Sequence, residues 1–366
     1  MSNYVEYGNK IAFHPGYYIK EYIESMGLTQ EDFANRLGTT PKNVSYIVRG
    51  EQSISVDIAI KLSRLIGTTV KYWLNLQIEY DSLIAEFKSM SETKAEKEVF
   101  KNLNYSYFRD NFNLPNIPNK IDEQIKIVRE FLNVSSLTVF KNKDMYVHFR
   151  SANLKESEIS MIKANIMVQI AANRSLKDNT IPKFDKKEFF KSINYALTLT
   201  KEHDEFFQLI KKSFYNSGVD LILLPNIVGS KINGATKKIG NHIMLMINNR
   251  NNNSDSFWFT LFHEIGHIVN GDFGVSFEDE TGTEEKKAND FAEKNLIPTK
   301  EYETFISEGI FTKKSILNFS NKIDRDPGII LGRLQNDKII RYDNFALNSL
   351  RTKYSFFEWK FKTYVF

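Results

Sequence analysis

Ser256-Phe-Trp-Phe-Thr-Leu-Phe-His-Glu-Ile-Gly-His-Ile-Val-Asn270 is the stretch from which this chain is best read. Its apolar residues Trp258, Leu261, Phe262, Ile265, Ile268 and Val269 recur with helical period and form one wide stripe. Ser254 or Asp255 is expected to cap the start, and Asn270-Gly271 supplies a stop. Positions i and i+4 share a helix face, so His263 and His267 aim two imidazoles at one point. Only six histidines occur in 366 residues, so a chance pairing at this spacing is rare. The alternative is two surface histidines on an amphipathic helix. With Glu264 beside them, the pattern is that of a zinc-hydrolysis helix: two metal ligands and a carboxylate to act on a water.

A catalytic zinc site takes three protein ligands and leaves a fourth position open. There is no cysteine, so the third ligand is a His, Asp or Glu. Read as a helix, Thr283 to Pro298 places Glu285, Ala288, Asn289, Ala292 and Leu296 on one face. The rest of that face is apolar or small, which predicts burial, and a buried carboxylate needs a partner. Glu285 is therefore the first choice, with Asn289 one turn on to hold a ligand in place. Glu284, about 100° away around the helix, is the second choice. A solvated helix start enriched in acids is the alternative.

Two candidate strands precede the zinc helix, Val219 to Leu224 and His242 to Asn248. The second is expected at the sheet edge, because Asn248 to Asn253 lead directly into the helix; a peptide would pair there as an added strand. His242 is read as structural, with help to an oxyanion as the weaker alternative.

Phe259-Thr-Leu-Phe-His-Glu-Ile-Gly-His267, Glu285-x-x-Ala-Asn-x-Phe-Ala292, Ile297-Pro298 and Gly328-Ile-Ile-Leu-Gly-Arg-Leu-Gln335 together resemble the ImmA/IrrE metallopeptidases. The resemblance covers about residues 205 to 345. It implies a small zinc endopeptidase of zincin-like α+β fold with a small sheet. It makes His263, His267 and Glu285 the metal ligands and Glu264 the general base. Members typically cut helix-turn-helix repressors.

A different chemistry lies near the other end. Thr29-Gln-Glu-Asp-Phe-Ala-Asn-Arg-Leu-Gly38 reads as a capped helix with Asp32 in the capping-box position and Phe33, Ala34 and Leu37 inward. Thr40 caps a second helix, Pro41 stands first in it, Val44, Ile47 and Val48 face inward, and Gly50 ends it. Two short helices about a Gly-containing turn make a helix-turn-helix. The outward face carries Lys42, Asn43, Ser45, Tyr46 and Arg49, groups that reach base edges and phosphates. Gln30 is placed to bond a phosphate. Residues 1 to 80 hold eight Lys and Arg against eight Asp and Glu. A neutral unit leans on two half-sites, so a homodimer on double-stranded operator DNA is expected. The alternative is a helical module that binds protein.

His14-Pro-Gly16, the Gly27 to Gly38 run and Tyr72-Trp-Leu-Asn-Leu-Gln77 resemble the HigA-type antitoxins of the lambda-repressor-like class, across residues 13 to 78. By that likeness Lys42 and Tyr46 occupy the principal base-reading positions, with Thr40 and Asn43 nearby. Pro41 departs from the glutamine many such repressors carry there, and it has no side-chain donor.

A length of 366 residues predicts two to three domains, and 42% hydrophobic residues suffice for packed cores. The net charge of +4 is compatible with nucleic acid without demanding it. Zero cysteines exclude disulfides and thiolate zinc sites, and fit a reducing cytoplasm. No apolar run approaches the ~20 residues of a membrane span, and no signal-peptide pattern is present.

The division expected is 1 to 80 for the DNA-binding domain, 81 to 204 for a helical connector, 205 to 345 for the peptidase and 346 to 366 for an aromatic arm. In the connector, Lys120 to Leu132 reads as an amphipathic helix, and Leu137 to Phe140 is expected to pair with Met145 to Phe149 as a hairpin. Its role stays open among spacer, dimerisation surface and sensor. The arm, crowded with Tyr354, Phe356, Phe357, Trp359, Phe361, Tyr364 and Phe366, is a docked terminal strand or a partner-binding segment.

The expected protein is thus multi-domain and mainly α with α+β: a cytoplasmic transcription regulator that binds an operator and uses Zn2+ to cut a repressor or antitoxin, its own chain or a paralogue. Two rivals remain. One is a non-proteolytic DNA-binding repressor whose zinc domain is structural or sensory. The other is an antitoxin whose helical domain binds a partner toxin.

Overall fold

The structure is a computed structural model that describes residues 3–142, 157–250, 253–277 and 282–354. The chain divides into two compact units, Met1–Glu98 and Val99–Phe366. The architecture is multi-domain and mostly helical with small sheets.

In the first unit an antiparallel hairpin, β1 (Tyr4–Tyr7) and β2 (Lys10–Phe13), precedes helices α1 (Pro15–Ser25), α2 (Gln30–Leu37), α3 (Pro41–Val48) and α4 (Val56–Ile66). Helix α5 (Val70–Phe100) follows. The capping box of α2 is formed: Thr29 Oγ1 accepts the Asp32 amide at 3.1 Å, and Asp32 Oδ2 accepts the Thr29 amide at 3.4 Å. Gly38 ends the helix with φ 67°. Thr40 Oγ1 accepts the Asn43 amide at 3.2 Å, and Pro41 occupies the first turn of α3. Phe33, Leu37, Val44, Ile47, Leu62 and Trp73 meet in one core. Truncating the fully buried Phe33 to Ala would cost about 3–5 kcal/mol. Any side chain on Gly16 would overlap the Ile47 carbonyl oxygen, so α1 crosses α3 at backbone contact.

The second unit begins with helices: α6 (Tyr105–Phe112), α7 (Ile121–Leu132), α8 (Glu158–Lys177), α9 (Lys186–Thr198) and α10 (Phe206–Asn216). Strands β3 (Val219–Leu224), β4 (Ile232–Ile239) and β5 (His242–Asn248) come next, then α11 (Ser254–Asn270) and β6 (Gly274–Phe277). Helices α12 (Thr283–Leu296), α13 (Thr299–Glu308), α14 (Lys313–Ile323), α15 (Pro327–Asn336) and α16 (Phe345–Asn348) complete it. The sheet order is β3-β5-β4-β6, with β3 parallel to β5 and the other pairs antiparallel. Alternation on β5 sends Ile243, Leu245 and Ile247 into the core shared with α11, and Met244 and Met246 into the core shared with α8. The sheet therefore carries helices on both faces.

Several expectations are corrected here. Strand β5 lies inside the sheet, and among the described residues β3 and β6 are its edges. Five consecutive buried residues in β5 mark a strand covered on both faces and both sides. The intervening strand β4, Ile-Asn-Gly-Ala-Thr-Lys-Lys-Ile, lacks a clean alternation and escaped the sequence reading. Leu137–Lys141 is a 3-10 helix, with Leu137 and Phe140 buried against α8; its expected partner Met145 to Phe149 lies outside the described residues. Residues 81 to 204 form no body of their own: α5 carries the chain to Phe100, and α6, α7 and α8 share a core with the sheet. Of the aromatic tail, Tyr354 is buried, and residues 355 to 366 lie outside the described residues. Among the described residues no helix is long and apolar enough to cross a membrane.

Candidate functional site

The N-cap position of α11 is Asn253, one residue before Ser254 and two before Asp255, with no side-chain capping bond, and the helix ends at Gly271 with φ 81°. Its first turn is anchored. Ser254 Oγ donates to Asp326 Oδ1 and the Ser254 amide to the Thr352 carbonyl, both at 2.8 Å; Asp255 pairs with Arg351 at 2.8 Å. Trp258 Nε1 donates to the Tyr354 hydroxyl at 3.1 Å. Gly328 and Gly332 of α15 lie against this turn, and a Cβ on either would come within 3 Å of Ser254 Oγ or Asp255 Cβ. Gly266 does the same for α12: a Cβ there would meet the Ala288 backbone at 3.0 Å, so the two helices touch at backbone distance.

That close approach brings three donors together. His263 Nε2 lies 3.0 Å from Glu285 Oε2, His267 Nε2 lies 3.3 Å from Glu285 Oε1, and the two imidazole nitrogens are 3.0 Å apart. All three residues are buried. A tetrahedral zinc with bonds of about 2.0–2.2 Å separates its ligands by roughly 3.3–3.6 Å, close to the spacing here. Two imidazoles and one carboxylate are zinc donors, and a cation among them offsets the cost of a buried carboxylate. The residues fit a metal ion. Burial opposes ionisation of Glu285, but hydrogen bonds from His263 and His267 outweigh it and hold the carboxyl well below its usual range. Glu284 is exposed on the adjoining face.

Each distal imidazole nitrogen faces a side-chain oxygen. His263 Nδ1 donates to Asn289 Oδ1 at 2.8 Å. His267 Nδ1 faces Asp272 Oδ2 at 3.2 Å, a contact the sequence reading missed. The available signal was an acid directly after the helix-ending glycine. Glu264 is fully buried, and β4 presses on it: a Cβ on Gly234 would fall 2.6 Å from Glu264 Cγ and Oε1. Gly234 was missed because its strand was missed. His242 lies on the other face of the sheet, with Nε2 2.9 Å from Ser175 Oγ, so the oxyanion idea fails on strand parity.

In the first unit, Gln30, Thr40, Lys42 and Arg49 are exposed and Asn43 and Tyr46 half-buried. The Tyr46 ring lies between the Lys42 ammonium, 5.6 Å from its centroid, and the Arg49 guanidinium, at 5.2 Å. Arg49 also pairs with Glu51 at 3.0 Å. Asn43 is committed to the fold: its Nδ2 donates to Thr39 Oγ1 at 2.9 Å and its Oδ1 accepts from Gln52 at 2.7 Å. Thr40 spends its hydroxyl on the cap.

Residues 228–315 match the family described as an IrrE N-terminal-like domain, and residues 19–73 match a helix-turn-helix family. Virulence-associated protein I of Dichelobacter nodosus is 38% identical over 76 residues, which is 20% of this chain and 70% of that protein. Antitoxin HigA-1 of Vibrio cholerae is 31% identical over 86 residues, 24% of this chain and 81% of that one. A solved structure of Pseudomonas aeruginosa antitoxin HigA with the higBA promoter is 31% identical, covering 22% of this chain and 89% of that chain at a TM-score of 0.21. The chain thus belongs to the helix-turn-helix family of HigA-like antitoxins through its N-terminal unit, and its residues 228–315 are similar to the IrrE N-terminal-like domain.

Proposed function

We propose that this protein is a DNA-binding regulator whose second unit is a zinc-dependent endopeptidase, and that it cuts a helix-turn-helix repressor or antitoxin, its own chain or a paralogue. The observation that carries the reading is the buried convergence of His263, His267 and Glu285, with Glu264 on the same helix. His263, His267 and Glu285 would hold a zinc ion, which would supply Lewis acidity towards a carbonyl and lower the pKa of a water towards ~7. Glu264 takes the proton from the attacking water and delivers it to the leaving amine. Asn289 and Asp272 orient the two imidazoles. Gly234 keeps β4 tight over Glu264, excluding water from its buried side. The substrate backbone adds to β6, a sheet edge among the described residues, which follows the helix directly.

In the first unit Lys42, Tyr46 and Arg49 form the surface offered to an operator, and Gln30 meets a phosphate at the start of α2. A homodimer supplies the two half-sites that a neutral unit needs. The two activities are separable. Glu264→Gln abolishes cleavage and leaves zinc and operator binding intact; Lys42→Ala with Tyr46→Ala does the reverse. Loss of both activities in either variant overturns the proposal.

The likeness to Antitoxin HigA-1 supports a second reading, in which the helical unit binds a toxin and the zinc domain is structural or sensory. Co-purification with a co-encoded small protein, and no cleavage by the zinc-loaded chain, would favour it.

A further inference from the structure

A cavity of about 330 Å³ opens beside the candidate metal centre. Its walls follow from helix register. On α11, Asp255, Phe259 and His263 succeed one another at i+4, and the Phe259 and His263 ring centroids are 6.3 Å apart. On α12, Glu285, Asn289 and Glu293 succeed one another in the same way. One helical turn is about 5.4 Å, so Phe259 and Glu293, which both line the cavity, stand one turn from His263 and Asn289. The third wall is α15, through Ile329, Gly332 and Arg333.

The chemistry of the lining selects an occupant. Phe259, Leu296, Ile297 and Ile329 supply apolar surface. Its charges are matched in pairs: Asp255 with Arg351 at 2.8 Å, and Glu293 with Arg333 at 3.0 Å. Arg333 is also held by Asp337 at 2.8 Å and lies over the Tyr302 ring at 5.0 Å. A charged side chain entering here finds no uncompensated opposite charge, while an apolar one gains from leaving water. The volume lies at the small end of the ~300–1,000 Å³ range of ligand pockets and accepts one large side chain.

We infer that this cavity is a specificity pocket for the peptide substrate, and that it takes a large apolar or aromatic side chain flanking the bond to be cut. The inference rests on the proteolytic reading for its purpose, though not for its test. Gly332 sets the depth of the pocket, because a Cβ there would lie 2.8 Å from Asp255 Oδ2 and would force the α15 wall outward.

The test uses the full-length, metal-free protein and two probes, N-acetyl-L-phenylalaninamide and N-acetyl-L-alaninamide, with binding followed by saturation-transfer NMR. Two substitutions fill the mouth from opposite walls: Ser256→Trp on α11, half-buried, and Asn336→Trp at the exposed end of α15. The expected result is binding of the phenylalanine probe at least about tenfold tighter than the alanine probe, weakened about as much in both variants. Unchanged circular dichroism shows that the variants fold. No preference for the aromatic probe, or equal binding in wild type and both variants, overturns the inference. Aromatic binding by a protein that cuts no peptide when zinc-loaded keeps the pocket and removes the peptidase; cleavage without aromatic preference removes the pocket alone.

Discussion

Asp272 Oδ2 stands 3.2 Å from Nδ1 of His267, and the amide of the same Asp272 donates to the His267 carbonyl at 3.1 Å. One residue thus hydrogen-bonds the backbone of a candidate ligand and sets a carboxylate beside its ring. The contact exists because Gly271, at φ 81°, turns the chain back over the last turn of α11. A carboxylate behind a ligating imidazole fixes its tautomer and raises its basicity. Asp272→Ala is expected to weaken zinc binding by roughly 10–100-fold, and Asp272→Asn by less. Competition with a chelating dye measures both, and unchanged affinity in the alanine variant would reject the positioning role.

Gly234→Ala probes the opposite side of the site. The added methyl would fall 2.6 Å from the Glu264 side chain, so the carboxylate must move. A displacement of about 1 Å at a catalytic group costs on the order of 10²-fold in rate. Zinc content should stay at the wild-type level while turnover of a protein substrate falls. Parallel loss of zinc would show that the methyl disturbs the whole helix and not Glu264.

Elemental mass spectrometry separates the two candidate glutamates. Wild type and Glu284→Ala are expected to carry about one zinc per chain, and Glu285→Ala none. Metal should also raise the melting temperature of wild type, since ligand at about 100 times its Kd adds roughly 2.7 kcal/mol to stability. Glu285→Ala should show no such rise.

The Tyr46 ring braces two cations, Lys42 and Arg49. Arg49→Gln is expected to lower the magnitude of the salt-dependence slope of operator binding by about one. Tyr46→Ala should weaken binding further than loss of its hydroxyl alone, so Tyr46→Phe is the milder variant. Gel-shift titrations at several salt concentrations give both results, and an unchanged slope in Arg49→Gln would remove the phosphate contact.

His14 gives the first unit an acid-sensitive cap. Its Nδ1 accepts the Gly16 amide at 3.0 Å, which requires the neutral ring. Burial lowers its pKa from 6.5, against the opposing pull of Asp81 and a hydrogen bond to the Ile47 carbonyl. The folded unit binds fewer protons than the unfolded one, so the stability is present above 6.5 and is lost as pH falls through the folded value. Over that window the slope is about 1.4 kcal/mol per pH unit. Urea melts from pH 7.5 downward should show it, and His14→Ser, which keeps a capping oxygen, should flatten it.

The candidate metal centre was legible to a large extent, and for a local reason. His263 and His267 share a face by helix geometry alone, and Glu285 reads as buried from the small and apolar residues at its own spacing. The caps at Thr29 and Thr40 were legible for the same reason. Asp272 and Gly234 were not. Each acts through a turn or a strand pairing that brings it to a residue outside its own element. Asn43 was read as a base contact from its outward position, but Thr39 and Gln52 claim both ends of its amide.

The sequence by itself determined where the two candidate sites of this protein lie, because periodicity, capping and the spacing of His263 and His267 are written within a few neighbouring residues. Only the tertiary structure decided that β5 is interior, that the residues after α5 build the second unit, and that a cavity opens one turn from His263. Those outcomes depend on which distant segments cover each apolar face, and burying both faces of the sheet selects partners that no local pattern names.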